Sequence, residues 1–107
     1  MILYGIPSCD SCRKARAALP AARFRDVRAE PLTEAEIARL LAALGEKLVN
    51  RASTTWRGLP EAERARPVAE LLARYPALMK RPVIEKGDRL TLGWDARVQA
   101  IWLHAAL

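Results

Sequence analysis

Two cysteines three residues apart, Cys9 and Cys12, lie where a short apolar run gives way to a helix-forming sequence. Residues 1–6 are apolar and are followed by Pro7 and Ser8, a pattern typical of a short buried strand that stops. A helix is predicted to begin at Cys9 or just after it. Its expected buried stripe consists of Cys12, Ala15, Ala18 and Leu19. The sequence therefore predicts a strand followed by a helix, with one cysteine at the first helical turn and the other inside the helix.

This position favours thiolate chemistry. Unpaired backbone N–H groups and the positive end of the helix dipole stabilise a thiolate at Cys9. Arg13 is expected to reach that sulfur, because helical side chains lean towards the N-terminus. Cys9 is therefore the predicted nucleophile. Cys12, whose Cα is expected roughly 5 Å from that of Cys9, is the partner that can close a disulfide with it.

The cysteine pair has two alternative interpretations besides redox chemistry. A zinc site usually has four ligands, whereas the chain offers only its two cysteines and His104. The cysteines could also be inert, because free cysteine is among the most buried residue types. A CxxC pair that follows a predicted strand nevertheless favours redox or nucleophilic chemistry.

Length and composition indicate a single globular domain spanning residues 1–107. Neither a membrane-spanning run nor a signal peptide is evident, so we expect a cytoplasmic protein, in which a CxxC pair is more often catalytic than structural.

The net charge is +6, but the arginines are scattered through the chain rather than clustered. We therefore expect no nucleic-acid partner, and instead a basic surface that attracts anionic substrates.

The middle of the chain is predicted to be helical, with one irregular segment. A second short strand is expected over 24–27. Thr33 and Glu36 have the spacing of a capping box, which predicts a helix that ends at Gly45. The segment 45–60 has no clear period, and long irregular segments in compact domains are often functional. Further helices are expected over 61–65 and 67–75.

The last part of the chain predicts a hairpin and a helix. Strands are expected over 83–85 and 89–92, joined by a turn at Gly87, and Asp95 can cap the last helix. The expected buried stripe of that helix is Val98, Ile101, Trp102 and Ala105.

The order of these elements predicts an α/β fold that resembles the thioredoxin fold. It would have a mixed sheet, with residues 31–79 as a helical insertion between an N-terminal βαβ part and a C-terminal ββα part. Pro82, which precedes the third strand, is expected to lie against the cysteine motif. A cis bond between Arg81 and Pro82 is a hypothesis at this point.

Three stretches in the same order resemble the arsenate reductase (ArsC)/Spx/YffB family of thioredoxin-fold proteins, over essentially the whole chain. They are YGIPSCDSCRKARAAL, LVNRASTTWRGL and KRPVIEKGDRLTLGW. By this resemblance Cys9 matches the family's catalytic cysteine, and Arg51 and Arg81 match two anion-binding arginines. Pro82 matches its cis-proline.

The chain also departs from some members of this family. Glutaredoxin-linked arsenate reductases carry a third arginine where this chain has Leu92, and they use a single cysteine in the motif. Cys12 supplies a second cysteine, as in the redox-sensing regulator Spx, which has a longer C-terminal part. The middle segment is similar to that of YffB proteins, which resemble glutathione-dependent thiol reductases.

The resemblance thus implies a cytoplasmic thiol-disulfide oxidoreductase in which Cys9 attacks and Cys12 resolves. Glutathione is the expected co-substrate, with no bound cofactor or metal, and the protein is expected to be a monomer. The expected substrate-binding residues are Arg13, Asn50, Arg51, Arg81 and Pro82. Asn50 either orients Arg51 or bonds the backbone of its own loop. Two alternatives remain: an arsenate reductase dependent on glutathione or glutaredoxin, and an Spx-like redox regulator that binds RNA polymerase.

Overall fold

This computed structural model describes residues 1–103, so the positions predicted for His104 and Ala105 lie outside the described residues. The chain divides into two compact units. The first combines Met1–Asp26 with the described residues from Arg81 onward, and the second is Val27–Lys80. The segment expected as a helical insertion, 31–79, falls within the second unit, and the single domain over 1–107 stays a prediction.

The first unit is built on a four-stranded mixed sheet. Its strands are β1 (Ile2–Gly5), β2 (Arg23–Asp26), β3 (Val83–Lys86) and β4 (Arg89–Leu92). Their order is β2-β1-β3-β4, with β1 parallel to β2 and antiparallel to β3, and with β3 antiparallel to β4. A parallel pair of consecutive strands needs a crossover connection, which α1 (Asp10–Ala18) provides here. The predicted mixed α/β architecture is confirmed.

Helix α1 begins directly after Cys9 and buries Cys12 and Ala15, as expected. The prediction that Ala18 is buried is wrong, because this residue is exposed. At 3.6 residues per turn, the six residues from Cys12 rotate Ala18 about 120° away from the buried direction. Leu19 follows the helix and is half-buried against the core.

The core of the first unit lies between the sheet and its two helices, α1 and α6 (Ala96–Leu103). It consists of Leu3, Ala15, Ile84, Val98 and Trp102. The indole N–H of Trp102 donates to the hydroxyl of Thr91 at 2.7 Å, which satisfies a polar group that burial would otherwise destabilise.

A hairpin turn and a helix cap of the first unit lie where the sequence predicts them. The β3–β4 hairpin has a two-residue loop, because Lys86 pairs with Arg89. Gly87 begins this loop with a φ of 59°, a value that glycine adopts without steric cost. The carboxylate of Asp95 accepts the backbone N–H of Val98 at 2.9 Å and so caps α6, as predicted.

The second unit begins with α2 (Glu34–Leu44), and its predicted capping box is confirmed. The hydroxyl of Thr33 accepts the backbone N–H of Glu36 at 3.1 Å, while the Glu36 carboxylate accepts that of Thr33 at 2.9 Å. Gly45 ends the helix with a φ of 70°. The buried residues Ile37 and Leu40 lie on the helix, which packs against α5 (Val68–Arg74).

The rest of the second unit consists of short elements. They are a 3-10 turn at Gly45–Leu48, α3 (Thr54–Arg57), α4 (Glu61–Arg64) and a 3-10 turn at Pro76–Leu78. The single turn α3 lies in the segment expected to be irregular, where the hydroxyl of Ser53 caps it by accepting the backbone N–H of Trp56 at 3.1 Å. Among the described residues, no helix is long and apolar enough to cross a membrane.

Candidate active site at the cysteine pair

The two cysteines lie where β1 passes into α1. Cys9 is the N-cap of α1, with an extended backbone (φ −76°, ψ 125°). Its backbone N–H donates to the carbonyl of Ile6 at 3.1 Å, and its carbonyl accepts the N–H of Arg13 at 3.0 Å. Both thiols are free, with Cys9 half-buried and Cys12 completely buried. The structure therefore offers one accessible sulfur, held at the start of the helix, and one covered sulfur.

The environment of Cys9 favours its thiolate. Partial burial acts to raise the pKa of Cys9, but the backbone N–H and thiol of Cys12 and the guanidinium of Arg81 act against it. The result is a Cys9 pKa below its ordinary value of 9.0. Hydrogen-bond donors and a nearby cation stabilise a thiolate more than a thiol. Cys9 therefore has the properties of a nucleophile.

Cys12 has the opposite environment. Burial and, to a smaller extent, the neighbouring Cys9 sulfur raise the pKa of the Cys12 thiol to about 12. The backbone of Ile6 and the charge of Arg81 act in the opposite direction without reversing the shift. A thiol of this kind keeps its proton at neutral pH, so the pKa values of the two cysteines are shifted in opposite directions.

Strand pairing explains why Arg81 lies beside Cys9. Tyr4 on β1 pairs with Val83 on β3 in an antiparallel register, so the residues before Val83 lie at the end of the sheet where β1 leads to the cysteines. The Arg81–Pro82 peptide is cis, as hypothesised, and Pro82 is buried. The carbonyl of Pro82 accepts the N–H of Gly93 at 2.8 Å.

Arg13 forms an ion pair within its own helix, and its predicted contact with the Cys9 sulfur stays a prediction. Its guanidinium pairs with the carboxylate of Asp10 at 3.3 Å, on an exposed part of α1. Lys14 pairs with the same carboxylate at 3.4 Å. The guanidinium of Arg81 is among the leading causes of the lowered pKa of Cys9. The local helical geometry permits Arg13 to reach the sulfur, but a carboxylate on the same helix face is the partner it takes.

Asn50 and Arg51 lie in the second unit. The amide oxygen of Asn50 accepts the backbone N–H of Ala52 at 3.1 Å, so this side chain bonds its own loop. The guanidinium of Arg51 pairs with the Glu46 carboxylate at 2.9 Å and lies 5.3 Å from the centre of the Trp56 ring. Of the predicted site residues, the first unit thus brings together Cys9, Cys12 and Arg81. The substrate-binding roles of Asn50 and Arg51 stay predictions.

Gly5 also lies in this site, although no role is predicted for it from the sequence. A Cβ at this position would lie 2.5 Å from the sulfur of Cys12 and 3.3 Å from its Cβ. Glycine inside a strand often marks a close approach by another part of the chain. The glycine in an otherwise apolar run was therefore the available signal for this contact.

Metal chemistry has no visible donor set here. Across residues 1–103, the structure contains no group of three or more histidine, cysteine, aspartate or glutamate side chains that could hold a metal ion.

The model of the ArsC family matches residues 4–100. This chain belongs to the ArsC family. Among curated proteins it is similar to the global transcriptional regulator Spx of Listeria innocua, with 33% identity over 103 residues that cover 87% of this chain and 79% of Spx. The ArsC family match extends over nearly all of the described chain, and it confirms the family that the three sequence stretches near the cysteines, in the middle of the chain and at the hairpin predict.

Solved structures of the ArsC family and its relatives support the same assignment. A YffB protein is 35% identical with a TM-score of 0.84, covering 92% of this chain and 95% of its own. An arsenate reductase (ArsC) related protein from Brucella melitensis is 33% identical with a TM-score of 0.73, covering 95% of this chain and 92% of its own. The thioredoxin-like fold is therefore confirmed. ArsC-family membership, together with the lowered pKa of Cys9 and the raised pKa of Cys12, indicates a thiol-based redox protein.

Proposed function

We propose that this protein is a cytoplasmic, monomeric thiol-disulfide oxidoreductase that takes its electrons from glutathione. The observation that carries the proposal is the opposite perturbation of the two thiols: hydrogen bonds from Cys12 and the guanidinium of Arg81 lower the pKa of Cys9, while burial raises that of Cys12. A nucleophilic thiol must be ionised before the reaction, and a resolving thiol must remain available until the first bond has formed. The lowered pKa of Cys9 and the raised pKa of Cys12 match these two roles.

In the first step, the Cys9 thiolate attacks one sulfur of a substrate disulfide, for example a mixed disulfide of glutathione. A bond forms between Cys9 and the glutathione sulfur, and the substrate leaves as a thiolate that takes a proton from water. The net charge of +6 attracts anionic glutathione conjugates to the protein. We propose that Arg81 holds a carboxylate of the conjugate, because its guanidinium already lies at the reacting sulfur.

The second step uses Cys12, and the first step prepares it. While Cys9 is a thiolate, its hydrogen bond and its charge both raise the pKa of Cys12. Once Cys9 is part of a mixed disulfide, burial still raises the pKa of Cys12, but this negative charge no longer adds to it and the charge of Arg81 still lowers it. Cys12 can then lose its proton to water and attack the Cys9 sulfur. The Cys9–Cys12 bond forms and glutathione leaves as a thiolate.

Two further glutathione molecules complete the cycle. The first attacks the Cys9–Cys12 disulfide and releases one protein thiol, and the second attacks the resulting mixed disulfide and releases the other. The protein returns to its dithiol form while the two glutathione molecules become one glutathione disulfide. Arg51 and Asn50 are proposed as further substrate-binding residues. Arg51 is suited to this role because its side chain is 46% exposed and its present ion pair, with Glu46, lies at the surface.

The test is the pH dependence of Cys9 alkylation in the reduced protein, with Cys12→Ser as the comparison. We expect a Cys9 pKa below its ordinary value in both proteins. A second measurement follows the release of glutathione from protein carrying a Cys9 mixed disulfide. Release without added thiol is expected in the wild type and not in Cys12→Ser. A Cys9 that alkylates slowly at neutral pH, or equal release from both proteins, contradicts the proposal.

An Spx-like role as a redox regulator is the second candidate, favoured by 33% identity to the regulator of Listeria innocua. In this role the Cys9–Cys12 disulfide would control binding to RNA polymerase. Affinity capture with oxidised and with reduced protein tests it. Retention of polymerase subunits in one redox state only supports regulation, and retention in neither state removes this candidate.

Arsenate reduction is the third candidate, favoured by 33% identity to the arsenate reductase (ArsC) related protein from Brucella melitensis. Cys9 would attack arsenic while arginines neutralise the oxyanion. Leu92 occupies the position where the family resemblance places a third arginine. Glutathione- and glutaredoxin-dependent arsenite production that is lost in Cys9→Ser supports this activity. A Leu92→Arg variant that gains no activity argues against it.

A further inference from the structure

The sulfur of Cys12 lies closer to Gly5 than it could lie to any residue that carries a side chain at position 5. A Cβ at Gly5 would lie 2.5 Å from the Cys12 sulfur. Carbon and sulfur atoms in ordinary contact are well over 3 Å apart, so a side chain at position 5 and the sulfur in its present place exclude each other. The sulfur of the reduced Cys12 therefore occupies the volume that a side chain at position 5 would fill.

Neither a methyl group added at Gly5 nor the side chain of Cys12 lies in open space. Gly5 lies at the end of β1 in the middle of the sheet, and Cys12 is completely buried on α1. A Cβ added at Gly5 would also lie 3.3 Å from the Cβ of Cys12 and 3.4 Å from the Phe24 ring. Within a helix one of the three staggered χ1 positions is also unfavourable, because it meets the preceding turn. A displaced sulfur has few alternative positions.

We infer that Gly5 is a positioning residue, which leaves room for the reduced Cys12 sulfur and thereby sets how readily the cysteine pair closes into a disulfide. This inference rests on the proposed function, in which that disulfide forms during turnover. Closing the bond brings the two sulfurs to about 2 Å, so they leave the positions that they hold as free thiols. A methyl group at position 5 therefore destabilises the dithiol form more than the disulfide form.

The first experiment measures the equilibrium between the protein dithiol and glutathione disulfide. The reaction forms the Cys9–Cys12 bond, reduces glutathione disulfide to two glutathione molecules and transfers both thiol protons to them. Adding a methyl group to a packed site is unfavourable, so Gly5→Ala is expected to shift the equilibrium towards the protein disulfide by about fivefold or more. An unchanged equilibrium, or a shift towards the dithiol, overturns the inference.

The second experiment is a double-mutant cycle on the stability of the reduced protein. It compares the effect of Gly5→Ala in the wild type with its effect in a Cys12→Ala background, where the sulfur is absent. We expect Gly5→Ala to lower the folding equilibrium constant about fivefold or more in the wild type and much less in the Cys12→Ala protein. Equal effects in the two backgrounds overturn the inference, because the contact with the sulfur is then not the cause.

The two experiments separate the failure of the inference from the failure of the proposed function. If glutathione disulfide does not oxidise the wild-type cysteines to the Cys9–Cys12 disulfide, the proposed two-cysteine reaction fails. The double-mutant cycle on stability still decides whether Gly5 positions the Cys12 sulfur. If Gly5→Ala does not fold, the same substitution with Cys12→Ala provides the answer. Folding of the double variant supports the contact, and failure of both variants overturns it.

Discussion

The guanidinium of Arg81 lies against the sulfur of Cys9, at the end of the sheet where β1 leads into α1. The two residues are distant in the chain, and the antiparallel pairing of β1 with β3 brings them together. This contact contributes to the chemical asymmetry of the cysteine pair, because Arg81 adds to the hydrogen bonds from Cys12 that lower the pKa of Cys9, while burial raises the pKa of Cys12.

Replacing Arg81 with methionine is expected to raise the pKa of Cys9 and to slow its alkylation at neutral pH several-fold. The guanidinium is both a hydrogen-bond donor and a positive charge at the sulfur, and methionine provides neither. Arg13→Met is the matched comparison, because Arg13 pairs with Asp10. We expect it to change the alkylation rate far less than Arg81→Met does. A larger effect from Arg13→Met would show that the wrong arginine has been placed at the sulfur.

The buried thiol of Cys12 is expected to make the reduced protein less stable in alkaline solution. The folded state holds this proton up to about pH 12, whereas the ordinary pKa is 9.0. The folded state therefore binds more protons between these values, so the contribution is complete below pH 9 and is lost as the pH rises towards 12. The loss is at most about 1.4 kcal/mol for each pH unit.

Urea unfolding of reduced wild type and reduced Cys12→Ala, from pH 8 upwards, measures this effect. Subtracting the two curves removes the contribution of the lysines and tyrosines that also titrate in this range. The free energy of unfolding of the wild type should fall faster with pH than that of the variant. Parallel curves would contradict the raised pKa of Cys12.

Glu63 is expected to stabilise the second unit in a pH-dependent way. Hydrogen bonds from Arg66 and Tyr75 and the charges of Arg66 and Arg74 hold the pKa of Glu63 at about 2, against an ordinary value of 4.5. The stabilisation is thus present above pH 4.5 and is lost as the pH falls towards 2. Glu63→Gln should be less stable than the wild type at pH 7, with the difference disappearing in acid.

The matched control for Glu63 is Glu70→Gln. Glu70 pairs with Arg66 at 3.6 Å and is more exposed than Glu63. We expect a much smaller change in the urea midpoint at pH 7, because exposed ion pairs contribute little. If both variants lose the same stability, a general change in charge rather than the Glu63 cluster is responsible.

Thr33→Ala is expected to destabilise the protein by about 1 kcal/mol. The substitution removes the hydroxyl that accepts the N–H of Glu36 at the start of α2. Thr33→Ser keeps this hydroxyl and should stay close to the wild type. Chemical unfolding of the three proteins at pH 7 measures the differences, and equal losses in the alanine and serine variants would show that the cap is not the cause.

Local sequence signals predicted most of the fold. The capping box at Thr33 and Glu36, the cap at Asp95 and the hairpin turn at Gly87 depend on neighbouring residues, and the structure confirms each of them. The burial of Ala18 was predicted wrongly, because a stripe inferred from spacing drifts around the helix with each turn. The single turn α3 was missed, because one serine cap within an irregular segment is a weak signal.

The sequence by itself determined the position of Cys9 at the start of a helix and of Cys12 one turn later, because a strand, a proline and helical spacing are local features of the chain. Only the tertiary structure decided which cation reaches the sulfur and what covers the second thiol. Strand pairing placed Arg81 at Cys9, and the packing of α1 on the sheet placed Gly5 against Cys12. Such contacts join residues from different elements, and no local pattern specifies their distance.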